Sequence, residues 1–179
     1  MPNKNDNLLS LDEANAIIKE NKDTVKPIEW VAKIDSVEMP WLNYQTSCRI
    51  NSEIREDILF ITQYRQARIL EVGTASIIIP EQYTAALLVG CHRIIGYDTN
   101  DKPHTNKKNI GFGLPYYGEK ITARTHHHIW TSEGYGYAEP IEPSFPDYET
   151  MLKAFLIRAN INLTGGFHHP LKNQTLSLL

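Results

Sequence analysis

The hydrophobic positions change period twice along the chain. Near the start, Leu11, Ala14, Ile17 and Ile18 recur at helical spacing, and Ser10 stands three residues before Glu13 in capping-box order, which predicts a helix over 8–23. From residue 28 onward apolar and polar residues alternate instead, the period of a half-buried strand. Segments 28–34 and 42–50 read as strands parted by a turn at Pro40, and the β-branched runs 58–64 and 75–79 read as two more. Residues 83–89 and 93–98 make a hairpin turning at Gly90, Cys91 and His92; 126–137 returns as one strand in which Gly134 and Gly136 suggest a bulge. Helical spacing comes back with Tyr148, Met151, Leu152, Phe155, Leu156 and Ala159, a closing helix over 147–161. Gly165 and Gly166 then lead into a polar tail, 165–179, to which no element is assigned.

This pattern predicts an α+β fold: a mainly antiparallel sheet of about six or seven strands with a helix near each end. A length of 179 residues with 41% apolar content suits one core, so 1–179 reads as a single domain with a β-rich body over 28–141. A formal charge of -3 argues against a dedicated nucleic-acid coat or membrane-surface protein, so any polyanion site must be local. Cys48 and Cys91 lack CxxC spacing and fall in strand-like runs, which fits a reducing compartment. The polar N-terminus lacks the apolar core of a signal peptide, and no apolar run approaches the ~18 residues that span a bilayer. A cytoplasmic, soluble protein with no membrane partner is expected.

Candidate chemistry concentrates in the middle of the chain. Asp98 falls at a strand end, the 99–118 loop that follows is far longer than the usual connection of about 4–6 residues, and His104 lies within it. On a strand, His126 and His128 point to one face and His127 to the other, so an H-x-H pair sets two imidazoles side by side. If the loop folds back, His104 and Asp98 join them. Three imidazoles and a carboxylate suit acid–base work at a phosphodiester or, as the alternative, zinc; the spacing matches no familiar zinc signature, and no cofactor is assigned. A short His tract is equally compatible with exposed, idle side chains.

Charge adds a direction. From Lys102 to His128 five basic residues (Lys102, Lys107, Lys108, Lys120, Arg124) face one acidic residue, Glu119, whereas 129–150 carries five acidic residues and no basic one. Lys107, Lys108 and Arg124 are therefore candidate phosphate contacts, with Trp130, Tyr116 or Tyr117 able to stack on a base. The basic loop can equally neutralise the acidic segment. Gly111-Phe112-Gly113 lacks a third glycine, and there is no Walker loop, nucleophile elbow or H-E-x-x-H, which sets aside the corresponding nucleotide-binding and hydrolase classes.

Taken in order, Ile95-Gly96-Tyr97-Asp98, Pro103-His104-Thr105-Asn106, the His126-His127-His128-Ile129-Trp130 strand and the closing helix resemble a family of small uncharacterised proteins of bacteria and their prophages. They are distantly similar to toxin components of toxin–antitoxin modules. The resemblance covers about residues 83–161 and implies a mobile-element origin and a toxin-like action on RNA. Gly96 stands where relatives tend to have arginine; if that arginine contacts phosphate in such proteins, the role is lost here or has moved to Lys107, Lys108 or Arg124. Two functions are expected from these readings. One is a phosphodiester-acting or RNA-binding protein using His104, His126, His128 and Asp98. The other is a non-enzymatic protein that binds a partner protein, its histidines incidental.

Overall fold

The computed structural model describes residues 9–33, 40–99 and 103–171. The polar N-terminal stretch, the end of the 28–34 segment, Lys102 and the end of the tail lie outside the described residues.

Helix α1 spans Leu11–Lys19 and opens on the expected capping box: Glu13 N–H donates to Ser10 Oγ at 3.2 Å, and Ser10 N–H donates back to Glu13 Oε2 at 2.8 Å. It is shorter than 8–23. Lys22 is fully buried and its ammonium donates to the carbonyls of Ile17, Ile18 and Glu20, which ends the helix and lets β1 begin at once.

The strands follow as β1 (Lys22–Thr24), β2 (Val31–Lys33), β3 (Trp41–Ile50), β4 (Glu53–Arg65), β5 (Arg68–Val72), β6 (Ala75–Ile79), β7 (Gln82–Val89), β8 (His92–Thr99), β9 (His104–Thr105), β10 (Lys120–Ile121), β11 (Thr125–Thr131) and β12 (Gly134–Pro140). Helix α2 (Tyr148–Ala159) and β13 (Ile161–Asn162) complete the order. Among the described residues the main sheet has nine strands, running β12-β11-β8-β7-β4-β3-β1-β13 with β2 beside β3. The α+β class and the mainly antiparallel pairing hold, and the one parallel pair of the path is β1 with β13. The expectation of six or seven strands is too low for two reasons. The 126–137 segment is two strands, because the chain turns at Ser132 and Glu133, where the Thr131 hydroxyl donates to the Gly134 carbonyl at 3.0 Å. Short strands such as β1 and β13 also carry too few residues for a period to show.

The helices share one face of the sheet. On α2, Tyr148, Met151, Leu152, Phe155 and Ala159 are buried, and Phe155 stacks on Phe60 and meets Tyr97 edge-on. The Tyr97 ring also lies 5.9 Å from His127, so His127 belongs to the helix-covered face. Strand alternation then puts Asp98, His126 and His128 on the opposite, open face. No helix among the described residues is long and apolar enough to cross a membrane.

The long loop is built against the sheet edge. Strands β9 and β10 pair with each other, and Asn106, 1% exposed, acts as a stand-in for a further strand. Its Oδ1 accepts from Ala138 N–H at 2.8 Å while its Nδ2 donates to the carbonyls of Ala138 and Tyr116 at 2.8 and 2.9 Å. Gly111 is the position where the fold demands glycine: its φ is +75°, and a Cβ there would meet the Tyr137 ring at 2.4 Å.

Candidate functional site

Register assembles the site. In the ladders, His126 faces Asp98 and His128 faces Gly96 across β11 and β8, and on the other side they face Pro140 and Ala138 of β12. The Asn106 clamp holds the β9 segment over this edge, and His104 Nε2 donates to the Gly136 carbonyl at 3.3 Å. The rings of His104, His126 and His128 thereby meet, with centroids 5.5, 4.8 and 5.0 Å apart for the three pairs. One nitrogen from each ring lies within 4.8 Å of the others, a group that can hold a metal ion.

Polar contacts fix the rings. His128 Nε2 donates to Asp98 Oδ2 at 3.1 Å, and the same oxygen accepts from Arg93 Nη1 at 2.7 Å. A carbonyl only accepts, so Nε2 of His104 carries a proton; the bond to Asp98 places one on Nε2 of His128. In their neutral tautomers His104 and His128 are then left with Nδ1 as the lone-pair nitrogen. The Nδ1 atoms of His126 and His128 are buried without a partner, as is Asp98 Oδ1. Buried polar atoms of this kind are costly, and natural folds keep few of them.

Electrostatics follows from the same contacts. Burial works to raise Asp98, but the His128 hydrogen bond and the Arg93 charge outweigh it and hold the carboxyl at about 2. Burial, reinforced by the neighbouring His128, pushes His126 down to about 4, and the same two causes lower His104. Near neutral pH His104 and His126 thus keep their lone pairs free and Asp98 stays ionised.

The structure brings His104, His126, His128 and Asp98 together, with the loop folded back, and the H-x-H pair is buried rather than exposed: His126 and His128 are 2% and 4% accessible. The other candidates lie elsewhere. Arg124 donates to the Glu81 carbonyl at 2.8 Å and sits over Tyr83, which ties it to the fold. Trp130 is 5% exposed, its indole N–H donates to the Leu9 carbonyl, and its ring packs against His92, so it is core and offers no face to a base. Lys107 and Lys108 are exposed on the loop beyond β9. Tyr116 and Tyr117 are half-buried, and the Tyr117 hydroxyl donates to the Lys108 carbonyl. Away from the site, Cys91 is exposed in a turn rather than set in a strand, with Sγ 3.7 Å from His92 Nε2.

Two residues at the site were not anticipated. Arg93 lies over Gly96, where an added Cβ would come within 2.8 Å of Arg93 Cδ, and from there reaches Asp98. Tyr135 stacks on His128 at 5.5 Å with the Arg93 guanidinium 5.7 Å from its ring centroid, and is 41% exposed. Strict alternation puts Arg93 and Asp98 on opposite faces. The β7–β8 ladder, however, shifts register beside Leu88, and the β11–β12 ladder shifts between Ile129 and Thr131; each shift re-aims one residue.

Compared with protein-family models, with curated proteins and with solved structures, the chain matches none.

Proposed function

We propose that this chain acts on or binds RNA phosphodiesters through the histidine cluster on the open face of its sheet, as a toxin-like protein of a bacterial or prophage element. The observation that carries this reading is the convergence of three imidazoles beside an ionised Asp98, with nitrogens left unpartnered inside the fold. A core built for stability alone would replace such groups with apolar ones; perturbed, buried titratable clusters concentrate where chemistry is done. The exposed Lys107, Lys108 and Lys120 on the segment that carries His104 supply local positive charge for a phosphate backbone. Tyr135, half open above His128, offers a ring on which a base can stack.

The reaction that suits such a site needs no outside reactant. In an RNA strand the 2′-oxygen attacks the adjacent phosphorus; the new P–O2′ bond forms as the P–O5′ bond breaks. One proton leaves the 2′-hydroxyl and one is delivered to the departing 5′-oxygen. A histidine cluster serves this in either of two ways, by moving the protons or by holding a metal that stabilises charge on the phosphate.

A second reading, a non-enzymatic protein that binds a partner protein, is favoured by the β5–β6 ribbon. Ile69 and Ile78 face each other in register there and are 64% and 75% exposed, and Leu70, Val72 and Ile77 are exposed too. Induced expression in a bacterial host separates the two. Arrest by the wild type, relieved by His126→Ala/His128→Ala at equal soluble protein level, supports the RNA reading. Unimpaired growth with both proteins removes its toxic form and leaves the ribbon as the feature to pursue.

A further inference from the structure

We propose that His104, His126 and His128 are the protein ligands of a divalent transition metal of the zinc class, with Asp98 as the residue that positions His128 toward it. This deepens the reading above by naming what the cluster holds, and it rests on that reading only for the metal's use, not for its binding.

Four observations converge. The three rings each bring a nitrogen to within 4.8 Å of the others, and a tetrahedral zinc site with bonds of about 2.0–2.1 Å sets its nitrogens about 3.3 Å apart, so closing the set takes a shift of at most about 1.5 Å. The Nδ1 atoms of His126 and His128 are unpartnered in residues only 2% and 4% exposed. Side chains held that way inside a fold need a partner that the protein itself does not provide. His128 donates its other nitrogen to a carboxylate and His104 donates its own to the Gly136 carbonyl, the arrangement that fixes tautomer and ring angle in metal-binding histidines. Imidazole is a ligand of zinc, cobalt and nickel rather than of calcium or magnesium, which prefer oxygen.

Three histidines from the protein leave a position of the metal open, the pattern of catalytic rather than structural sites. When bound, such an ion polarises a phosphoryl oxygen and acidifies a bound water. The half-exposed Tyr135 lies against His128.

The test uses full-length protein carrying no affinity His tag, freed of metal by chelation and titrated with Co²⁺, followed by competition with Zn²⁺. The expected result is binding of about one ion per chain with the absorption bands of low-symmetry cobalt, displaced by zinc. His127→Ala should bind as the wild type does. Asp98→Asn should keep the stoichiometry while weakening affinity about 10- to 100-fold. His104→Ala, on the half-buried β9 segment outside the main sheet, should lose the tight site. Absence of stoichiometric binding to the wild type overturns the inference, as does undiminished binding by His104→Ala or His126→Ala/His128→Ala. The two claims fail separately. Metal binding without any effect on RNA removes the proposed function alone, and an RNA activity indifferent to chelation removes the metal alone.

Discussion

Arg93 and Asp98, five residues apart on one strand, meet at 2.7 Å because a register shift in the β7–β8 ladder turns Arg93 toward the open face and Gly96 leaves room beneath it. The guanidinium charge is thereby directed at the carboxylate that holds His128.

Gly96→Ala tests this layering. The new Cβ would press on Arg93 Cδ, a mid-chain atom that cannot yield without moving the guanidinium, so a loss of about 1–2 kcal/mol in denaturant unfolding is expected. In Arg93→Ala the obstacle is gone, and adding Gly96→Ala should then cost little. Equal and additive effects in the two backgrounds would show that Arg93 does not rest on Gly96.

Asn106 should behave as a clamp rather than a reacting group. Asn106→Ala removes three hydrogen bonds to β12 and the loop, two of them buried, for an expected destabilisation of about 2–4 kcal/mol. Amide exchange at Ala138 should rise well above its wild-type rate. Unchanged protection there would mean that the loop is held by β9 and β10 alone.

Acid should weaken the metal-free fold from near neutrality. The folded-state values of His126, His104 and His127 all lie below the unfolded value, so the unfolded chain takes up protons first and stability falls as pH drops below about 6.5. For His126, with a folded value of about 4, the full loss by that pH is about 3 kcal/mol. Asp98, lowered to about 2, extends the same slope further down. Urea midpoints between pH 7.5 and 4 check this; a flat profile would show that the histidines are not buried neutral.

Much of this fold could be read from pattern. The Ser10/Glu13 cap, the β7–β8 hairpin and the face of α2 all came from periods that the structure keeps. The H-x-H reading placed His126 and His128 on one face and His127 on the other. What escaped it depends on register. Alternation is blind to a residue inserted into a ladder: strict alternation aims Arg93 and Tyr135 away from the site, where the register shifts bring them back, and it left Trp130 free to stack. The length of the 126–137 segment concealed a two-residue turn, and Arg124, counted as a phosphate contact from local charge, is engaged by the Glu81 carbonyl. Charge along a sequence says nothing of which groups the fold has already used.

The most direct measurement incubates purified, metal-loaded wild-type protein and His126→Ala/His128→Ala with single-stranded RNA and follows the strand and its ends over time. An RNA-cleaving histidine cluster predicts strand scission by the wild type, with 2′,3′-cyclic phosphate ends, and loss of that activity in a folded double variant. Intact RNA with both proteins, or equal scission by both, would contradict it.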